Sequence, residues 1–339
     1  MTIDLVVAGG GPAGLATALH AVAAGLSVVV REPRAGVVDK ACGEGVMPAG
    51  VAHLAELGVH PRGRELRGIR YCAPGRAAEA YFAGRTARGV RRVELHRALL
   101  AAVREAGVAV ETTRVREVVH QPAGVVVDGT PAGHLVVADG LHSPLRRALG
   151  LDRPAGGPRR FGLRRHVALA PWTDLVEVHW APHAEAYVTP VADGEVGIAV
   201  LTSRRAGFAE HLAAFPNLVA RVGGAQWTTT ARGAGPLRQA SRRRVAGRVL
   251  LVGDAAGYLD ALTGEGVSLA LAQARAAVTA VASGDLAGYE TAWRRIGRRH
   301  RLLTGALVAV GESPARPLLV PAAQRLPRVF AAAVNALGG

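Results

Sequence analysis

Gly9-Gly10-Gly11-Pro12-Ala13-Gly14 stands between an apolar run, Leu5–Ala8, and a stretch rich in Ala and Leu, Pro12 to Ala24. The hexapeptide reads GxGxxG, and a strand that ends in this turn and feeds a helix opens a dinucleotide-binding βαβ unit. Gly9 permits the tight turn, Gly11 lets the backbone approach a pyrophosphate, and Gly14 lets helix and strand pack closely. Pro12 and Ala13 begin the helix, whose N-terminus attracts phosphate. Ser27–Val30 reads as the second strand, and Glu32 lies at its end. Its spacing from Gly14 suits an acid that binds a ribose; a solvated surface acid is the competing reading.

Two further segments extend this pattern. Gly253-Asp254-Ala255-Ala256-Gly257 follows the apolar run Val249–Val252. An Asp at the carboxyl end of a strand can bond a ribityl hydroxyl or cap a helix, and the two roles can coexist. Asp139-Gly140-Leu141-His142-Ser143-Pro144-Leu145-Arg146 reads DGxxSxxR. Arg97 starts a predicted helix, at about 94–106, from which a basic side chain could reach the cofactor.

In order, these four features resemble the flavoprotein superfamily with the p-hydroxybenzoate hydroxylase fold, over 3–45, 94–150 and 248–282. The resemblance implies FAD. It places the ADP part on Gly9, Gly11, Gly14 and Glu32, with further contacts at Asp139, Gly140, Gly253 and Asp254, and it matches Arg97 to the family arginine that touches FAD. A closer resemblance is to the geranylgeranyl reductase-like branch. Asp39-Lys40-Ala41-Cys42-Gly43-Glu44-Gly45 is similar to that branch's K-x-CGG segment beside the isoalloxazine ring. This implies that Lys40, Cys42 and Gly43 border the flavin. Gly253 through Gly266 resembles its GDAAG…P-x-TG-x-G segment, which adds Gly264 and Gly266. Glu44 replaces a glycine and Ala261 a proline. The resemblance favours reduction of a carbon–carbon double bond in an isoprenoid-type substrate. The alternatives are monooxygenation of an aromatic or polyketide and a non-catalytic prenyl-binding protein. No second GxGxxG marks a nicotinamide domain, so NADPH, NADH or another reductant could supply the electrons.

The fold expected is α/β, α+β overall: a doubly wound cofactor domain with an inserted antiparallel sheet. Segments 1–65, 90–155 and 240–285 form the discontinuous FAD domain; 66–89 and 156–239 form the substrate domain; 286–339 forms a C-terminal helical segment. A strand is expected at 108–111, a β-meander at about 114–128, and a strand at 135–138. Alternation at 174–180, 184–191 and 195–201, with strands near 66–72 and 77–83, defines the inserted sheet. It puts Val176, Val178 and Trp180 on one face and Glu177 and His179 on the other; Glu185, Tyr187 and Thr189 share a face of the next strand. The sequence leaves open which face lies inside. Cys42, Glu265 and His179 are the candidate catalytic residues. Thr263-Gly264-Glu265-Gly266 leads into a helix at 267–282, and its amides could hold the flavin pyrimidine.

The formal charge is +15, carried almost wholly by arginine, since Lys40 is the only lysine. An arginine-for-lysine bias beside heavy Ala, Gly and Val usage reads as compositional bias; attraction to an anionic substrate or membrane surface is the sharper reading. Nucleic acid is not expected, because aromatics are only 4% and no binding module is present. Cys42 and Cys72 form no CxxC and signal no metal site. No apolar stretch is read as reaching the roughly 18–20 residues of a membrane span. The N-terminus lacks the basic start of a signal peptide, which predicts a cytoplasmic protein. Tyr289, Trp293, Ile296, His300 and Leu303 form a helical stripe, with Arg294, Arg295, Arg298 and Arg299 off it. The stripe either faces the core or makes a peripheral membrane contact. The apolar tail at 302–337 suits an access route for a hydrophobic small molecule.

Overall fold

The computed structural model describes residues 3–338. Ile3–Ala8 is a strand, buried from Leu5 onward. It pairs in parallel with Thr130–Val137 on one side and Val28–Arg31 on the other. Val249–Leu251 and Ala109–Glu111 extend the sheet in parallel at its two flanks. The register aligns Leu251, Val137, Ala8, Arg31 and Glu111 in one row. The GxGxxG, DG and GD motifs and the acid Glu32 therefore leave the sheet at the same edge: Gly9, Glu32, Asp139 and Gly253 each follow this row within two residues. Ligands of parallel sheets bind at this carboxyl edge.

Pro12 opens the helix Pro12–Ala23, where a missing amide N–H costs nothing. That helix lies against the sheet at very short range. A Cβ on Gly9 would meet the Ala138 carbonyl oxygen at 2.4 Å, and one on Gly14 would meet the Gly9 carbonyl oxygen at 1.8 Å. Gly9 also has φ +113°, a conformation that L side chains rarely adopt. A Cβ on Gly11 would meet nothing within 4 Å.

The second sheet has seven strands, in the order Arg232–Ala234, Phe161–Val167, Glu195–Thr202, Ala184–Ala192, Leu175–Ala181, Gly68–Ala73 and Arg76–Tyr81. Only the pair Leu175–Ala181 and Gly68–Ala73 is parallel. One face carries Ala186, Val188, Ile198 and Val200 and is covered by Phe208, Leu212, Phe215 and Leu218 from two short helices. The other carries Val176, Val178, Trp180 and Tyr187 and packs on Met47, Leu262 and the C-terminal helices. The sheet's inner face is thus the apolar set. Tyr187 Oη donates to the Leu262 carbonyl (2.9 Å) and Thr189 Oγ1 to the Gly43 carbonyl (2.8 Å), which fixes this face over the loops that carry Gly43 and Leu262.

The structure corrects several local expectations. The strand expected at 135–138 begins at Thr130 and forms a hairpin with Val125–Val127. The segment near 66–72 is split: Arg64–Leu66 joins a small sheet with Ala87–Gly89 and Gly45–Val46. Gly266–Ser283 has the length and composition to cross a membrane, contrary to the sequence reading, yet half of it is buried inside the protein. It packs between Pro12–Ala23, Pro48–Glu56 and Leu286–Ile296 as a core helix. The arginine-flanked stripe is broken at Gly297 into Leu286–Ile296 and Arg298–Gly311. Tyr289, Trp293 and His300 are buried, so the stripe serves the core.

The two motif glycines should respond differently to a methyl group. Gly14→Ala should lose about 3 kcal/mol of unfolding free energy, because the backbone of Gly9 cannot yield cheaply. Gly11→Ala should stay within about 1 kcal/mol of the parent. Urea unfolding of the apoprotein measures both, and equal losses would refute the packing account.

Candidate active site

The row of strand ends brings the motif residues into one cleft. Glu32 is buried; its Oε2 accepts from the Gly10 amide (2.8 Å), and its Oε1 accepts from the amide and Nε of Arg34. Burial pushes its carboxyl pKa up, but the Arg34 and Gly10 hydrogen bonds outweigh that and hold it below the usual range. Asp139 sits at the end of its strand with Oδ2 accepting from the Leu145 amide (3.2 Å) and Oδ1 buried without a partner. Burial pushes its carboxyl up, against the Ser143 hydrogen bond. Lys40 reaches between the two aspartate motifs. Its Nζ lies 3.7 Å from Asp254 Oδ2, and a Cβ on Gly140 would come within 3.3 Å of it.

Arg97 does not reach this cleft. It is exposed on the helix Arg92–Glu105 and pairs with Glu94, one turn back. Five residues earlier, about 140° around the helix, Arg92 is turned inward. Arg92 is buried, and its Nη1 has no partner. Burial pushes its guanidinium pKa down, while the carboxylate charges of Asp39 and Asp254 act against that shift. Sequence reasoning passed over Arg92 because adjacent arginines, Arg91 and Arg92, carry no mark of which one faces inward. One turn on, His96 bonds the Gly10 carbonyl through Nε2 (2.8 Å), and its Nδ1 accepts from the Val38 amide (3.3 Å). Burial holds it neutral, which suits this donor–acceptor pair.

The loop Asp39–Gly45 crosses the cleft mouth and is tied down by Glu44. Glu44 has φ +62°, the left-handed conformation that its glycine counterpart in the reductase branch would adopt freely. Its buried carboxylate bonds His166 Nε2 at 2.6 Å and accepts from the Arg92 amide at 2.8 Å. Arg164 Nε lies 3.7 Å away, and its Nη2 donates to Asp39 at 2.5 Å. His166 Nδ1 in turn meets Thr229 Oγ1 at 3.0 Å. Gly197 leaves the room: a Cβ there would lie 2.8 Å from Glu44 Oε2. The departure from the branch pattern therefore has a structural partner set that sequence alone did not disclose.

Cys42 lies in this loop, and its Sγ accepts from the Glu44 amide at 3.3 Å. Burial, then the Glu44 charge, pushes its thiol pKa up, so it is a thiol and not a thiolate at neutral pH. Gly43 has open space where a Cβ would sit, and Gly264 has φ +69° and faces the Met47 side chain. Gly253 (φ +59°) packs against Ala13, and Gly266 stands under the Tyr258 ring. Glu265 is buried and bonds His300 Nδ1 at 2.7 Å, with Thr263 and Thr304 beside it.

His179 is not in the cleft. It shares the outer face of the second sheet with Glu177, bonded at 3.0 Å, and with Cys72. The strand's alternation sends it away from the loops that Tyr187 and Thr189 contact. Glu177 is already engaged by Arg70 and Trp172, and burial pushes the Cys72 thiol up to about 12.

Residues 2–284 match the family described as FAD binding domain. The chain belongs to that family. A protein of Mycolicibacterium smegmatis named menaquinone reductase is 30% identical, over 88% of this chain and 80% of that one. A digeranylgeranylglycerophospholipid reductase of Methanothermobacter thermautotrophicus is 26% identical, over 88% and 82%. The fold matches the crystal structure of a flavoprotein/dehydrogenase from Cytophaga hutchinsonii with TM-score 0.86 and 17% identity, over 99% of this chain and 92% of that one. This protein is an FAD-dependent oxidoreductase. Its residues fit the cofactor: Arg92 at a helix start offers a buried nitrogen without a partner, and at the strand ends Asp139 offers an unpaired oxygen and Gly11 an open backbone.

Restoring the branch glycine tests the Glu44 cluster. Glu44→Gly relieves the left-handed backbone, worth about 1 kcal/mol, but strips His166 and Arg164 of a buried carboxylate, worth about 3–5 kcal/mol. A net loss of roughly 2–4 kcal/mol is expected in denaturant unfolding. A variant as stable as the parent would show that the carboxylate network contributes nothing.

Proposed function

We propose that this oxidoreductase reduces a carbon–carbon double bond in the isoprenoid chain of a quinone or lipid. The observation that carries this reading is the inner face of the second sheet. Val176, Val178 and Trp180 pack with Met47, Leu262 and Phe330 in a buried apolar cluster beside the loops of Gly43 and Leu262, and the polar pair Glu177 and His179 points away. An isoprenoid chain suits such an apolar surround, whose one buried unpartnered polar atom among the residues named is the Trp180 indole N–H. The two reductases above are named for a menaquinone and for a digeranylgeranyl phospholipid, which supports a prenylated substrate.

In this reading Gly9, Gly11, Pro12, Ala13, Gly14 and Glu32 hold the ADP part, and Arg92 neutralises the pyrophosphate. Asp139, Gly140, Gly253 and Asp254 hold the ribityl chain, and Lys40, Cys42, Gly43, Gly264 and Gly266 border the ring. Bound FAD supplies two-electron hydride chemistry. The Cys42 thiol shapes the ring-side wall, and its raised pKa keeps it uncharged beside an apolar substrate. Glu265, hydrogen-bonded to His300, stands on the turn that precedes the helix Gly266–Ser283 and is the proton-delivering group in this reading. The hydride for one alkene carbon comes from FAD once its electron donor has reduced it, and the proton for the other comes from the Glu265 side of the site or from solvent.

The expected outcome is product formed in anaerobic single turnovers of the reduced enzyme, with hydrogen from donor or solvent in the product. Turnover that requires O2, with labelled oxygen in the product, would instead establish a monooxygenase.

A greasy substrate is best taken from a membrane surface. The contact expected from the arginine-flanked helix moves to residues 302–329, where Leu302, Leu318, Leu326 and Val329 are exposed beside Arg325 and Arg328. Leu326→Asp with Val329→Asp should abolish co-sedimentation with anionic vesicles while FAD stays bound. Undiminished sedimentation would refute this contact.

A further inference from the structure

A cavity of about 460 Å³ opens between the segment Gly253–Gly266, residues 238–244, and the helices Leu286–Ile296 and Arg298–Gly311. Arg153, Arg238, Arg242, Arg244, Arg294 and Arg301 line it. Asp254 is the one acid among the described lining residues, and Lys40 lies beside it. Of the six arginines, Arg244 alone has a carboxylate partner among the described residues, Glu290 at 3.4 Å. Arg238, Arg242 and Arg301 donate instead to backbone carbonyls of Gly156, Asp152 and Arg294.

Two of these cations are stacked on one indole. The guanidinium carbons of Arg244 and Arg301 lie 3.7 Å and 4.6 Å from the Trp293 ring centroid. Trp293 is only 9% exposed, and its indole N–H has no partner; Arg244 Nε is likewise buried without one. Burial, then the charges of Arg244 and Arg294, pushes the Arg301 guanidinium pKa down. A solvated arginine face would not crowd its cations or bury their donors. The arrangement fits a ligand that brings both negative charge and acceptor oxygens.

We propose that this cavity binds a phosphorylated group bearing two or more negative charges, of the diphosphate type. Arginine forks match phosphate oxygens in pairs, and Tyr258, Leu259 and Leu269 give the remainder of the ligand an apolar wall. The cavity shares Gly253, Asp254 and Gly266 with the proposed cofactor set but none of Gly9, Glu32, Arg92 or Asp139. Two sources carry such a group: the phosphates of a nicotinamide dinucleotide donor, and the diphosphate of a prenyl substrate. The inference does not rest on double-bond reduction.

The test uses FAD-loaded protein titrated calorimetrically with inorganic pyrophosphate at low salt. Saturable binding is expected, weakening as salt rises. It should fall at least about tenfold in Arg238→Gln/Arg301→Gln and persist in Arg299→Gln, an exposed arginine outside the cavity. If the first pair folds poorly, Arg153→Gln/Arg242→Gln should show the same direction from more exposed positions. NADPH, NADH and geranylgeranyl diphosphate are then tested as competitors. Displacement by a dinucleotide assigns the site to the donor, and displacement by the prenyl diphosphate assigns it to the substrate. Absent pyrophosphate binding, binding indifferent to the arginine pairs, or displacement by none of the three would overturn the proposal. Loss of FAD from the folded variants would also overturn it, because the cavity would then belong to the cofactor cleft.

Discussion

The Glu44 carboxylate meets three parts of the chain at once: its own loop, the start of the helix Arg92–Glu105, and the second sheet through His166. A carboxylate removed from water must be matched by cations and hydrogen-bond donors, or its burial costs several kcal/mol. Arg164, His166 and the Arg92 amide provide that match, and Gly197 provides the space. The consequence is geometric. The loop that carries Lys40 and Cys42 cannot shift without separating Glu44 from its partners, so the cleft mouth is held by electrostatics where the branch pattern has only glycine. The Thr189 bond to the Gly43 carbonyl reinforces the same position.

A second buried network secures the opposite side. Arg160 lies 2.6 Å from Glu185, 3.0 Å from Asp260 and 2.9 Å from Glu312. Arg316 bonds Glu185 and the carbonyls of Ala181 and Ala184. These contacts join the inner face of the second sheet to the loop before Thr263 and to the C-terminal helices. The apolar lining is therefore framed by ion pairs, which specify position more than they stabilise.

These networks change the meaning of the +15 charge. Arg146, Arg160 and Arg164 are among the largest fully buried side chains. Arg146, the last residue of DGxxSxxR, bonds Asp152 and the carbonyls of Leu141 and Ala255, so it ties the DG motif to the GD motif from behind. Guanidinium holds several acceptors in a fixed plane, a task that an ammonium group performs poorly. Part of the arginine excess is internal scaffolding, and the six arginines of the cavity concentrate charge at one place.

The cofactor layer was legible from sequence because its determinants are local. GxGxxG, the acid after the second strand, and the DG and GD pairs each combine a short turn with a strand end, and parallel pairing then aligns those ends. The tertiary structure decided whatever depended on facing. Alternation along 174–180 gave two faces without saying which was inner; only docking on Gly43 and Leu262 put the apolar set inside and His179 outside. Helical phase, invisible in the run Arg91-Arg92, turned Arg92 inward and left Arg97 in solvent. The partners of Glu44 lie 48 and 122 residues away in the chain. Such separations are closed by packing alone, because no local pattern records which distant side chain will neutralise a buried charge.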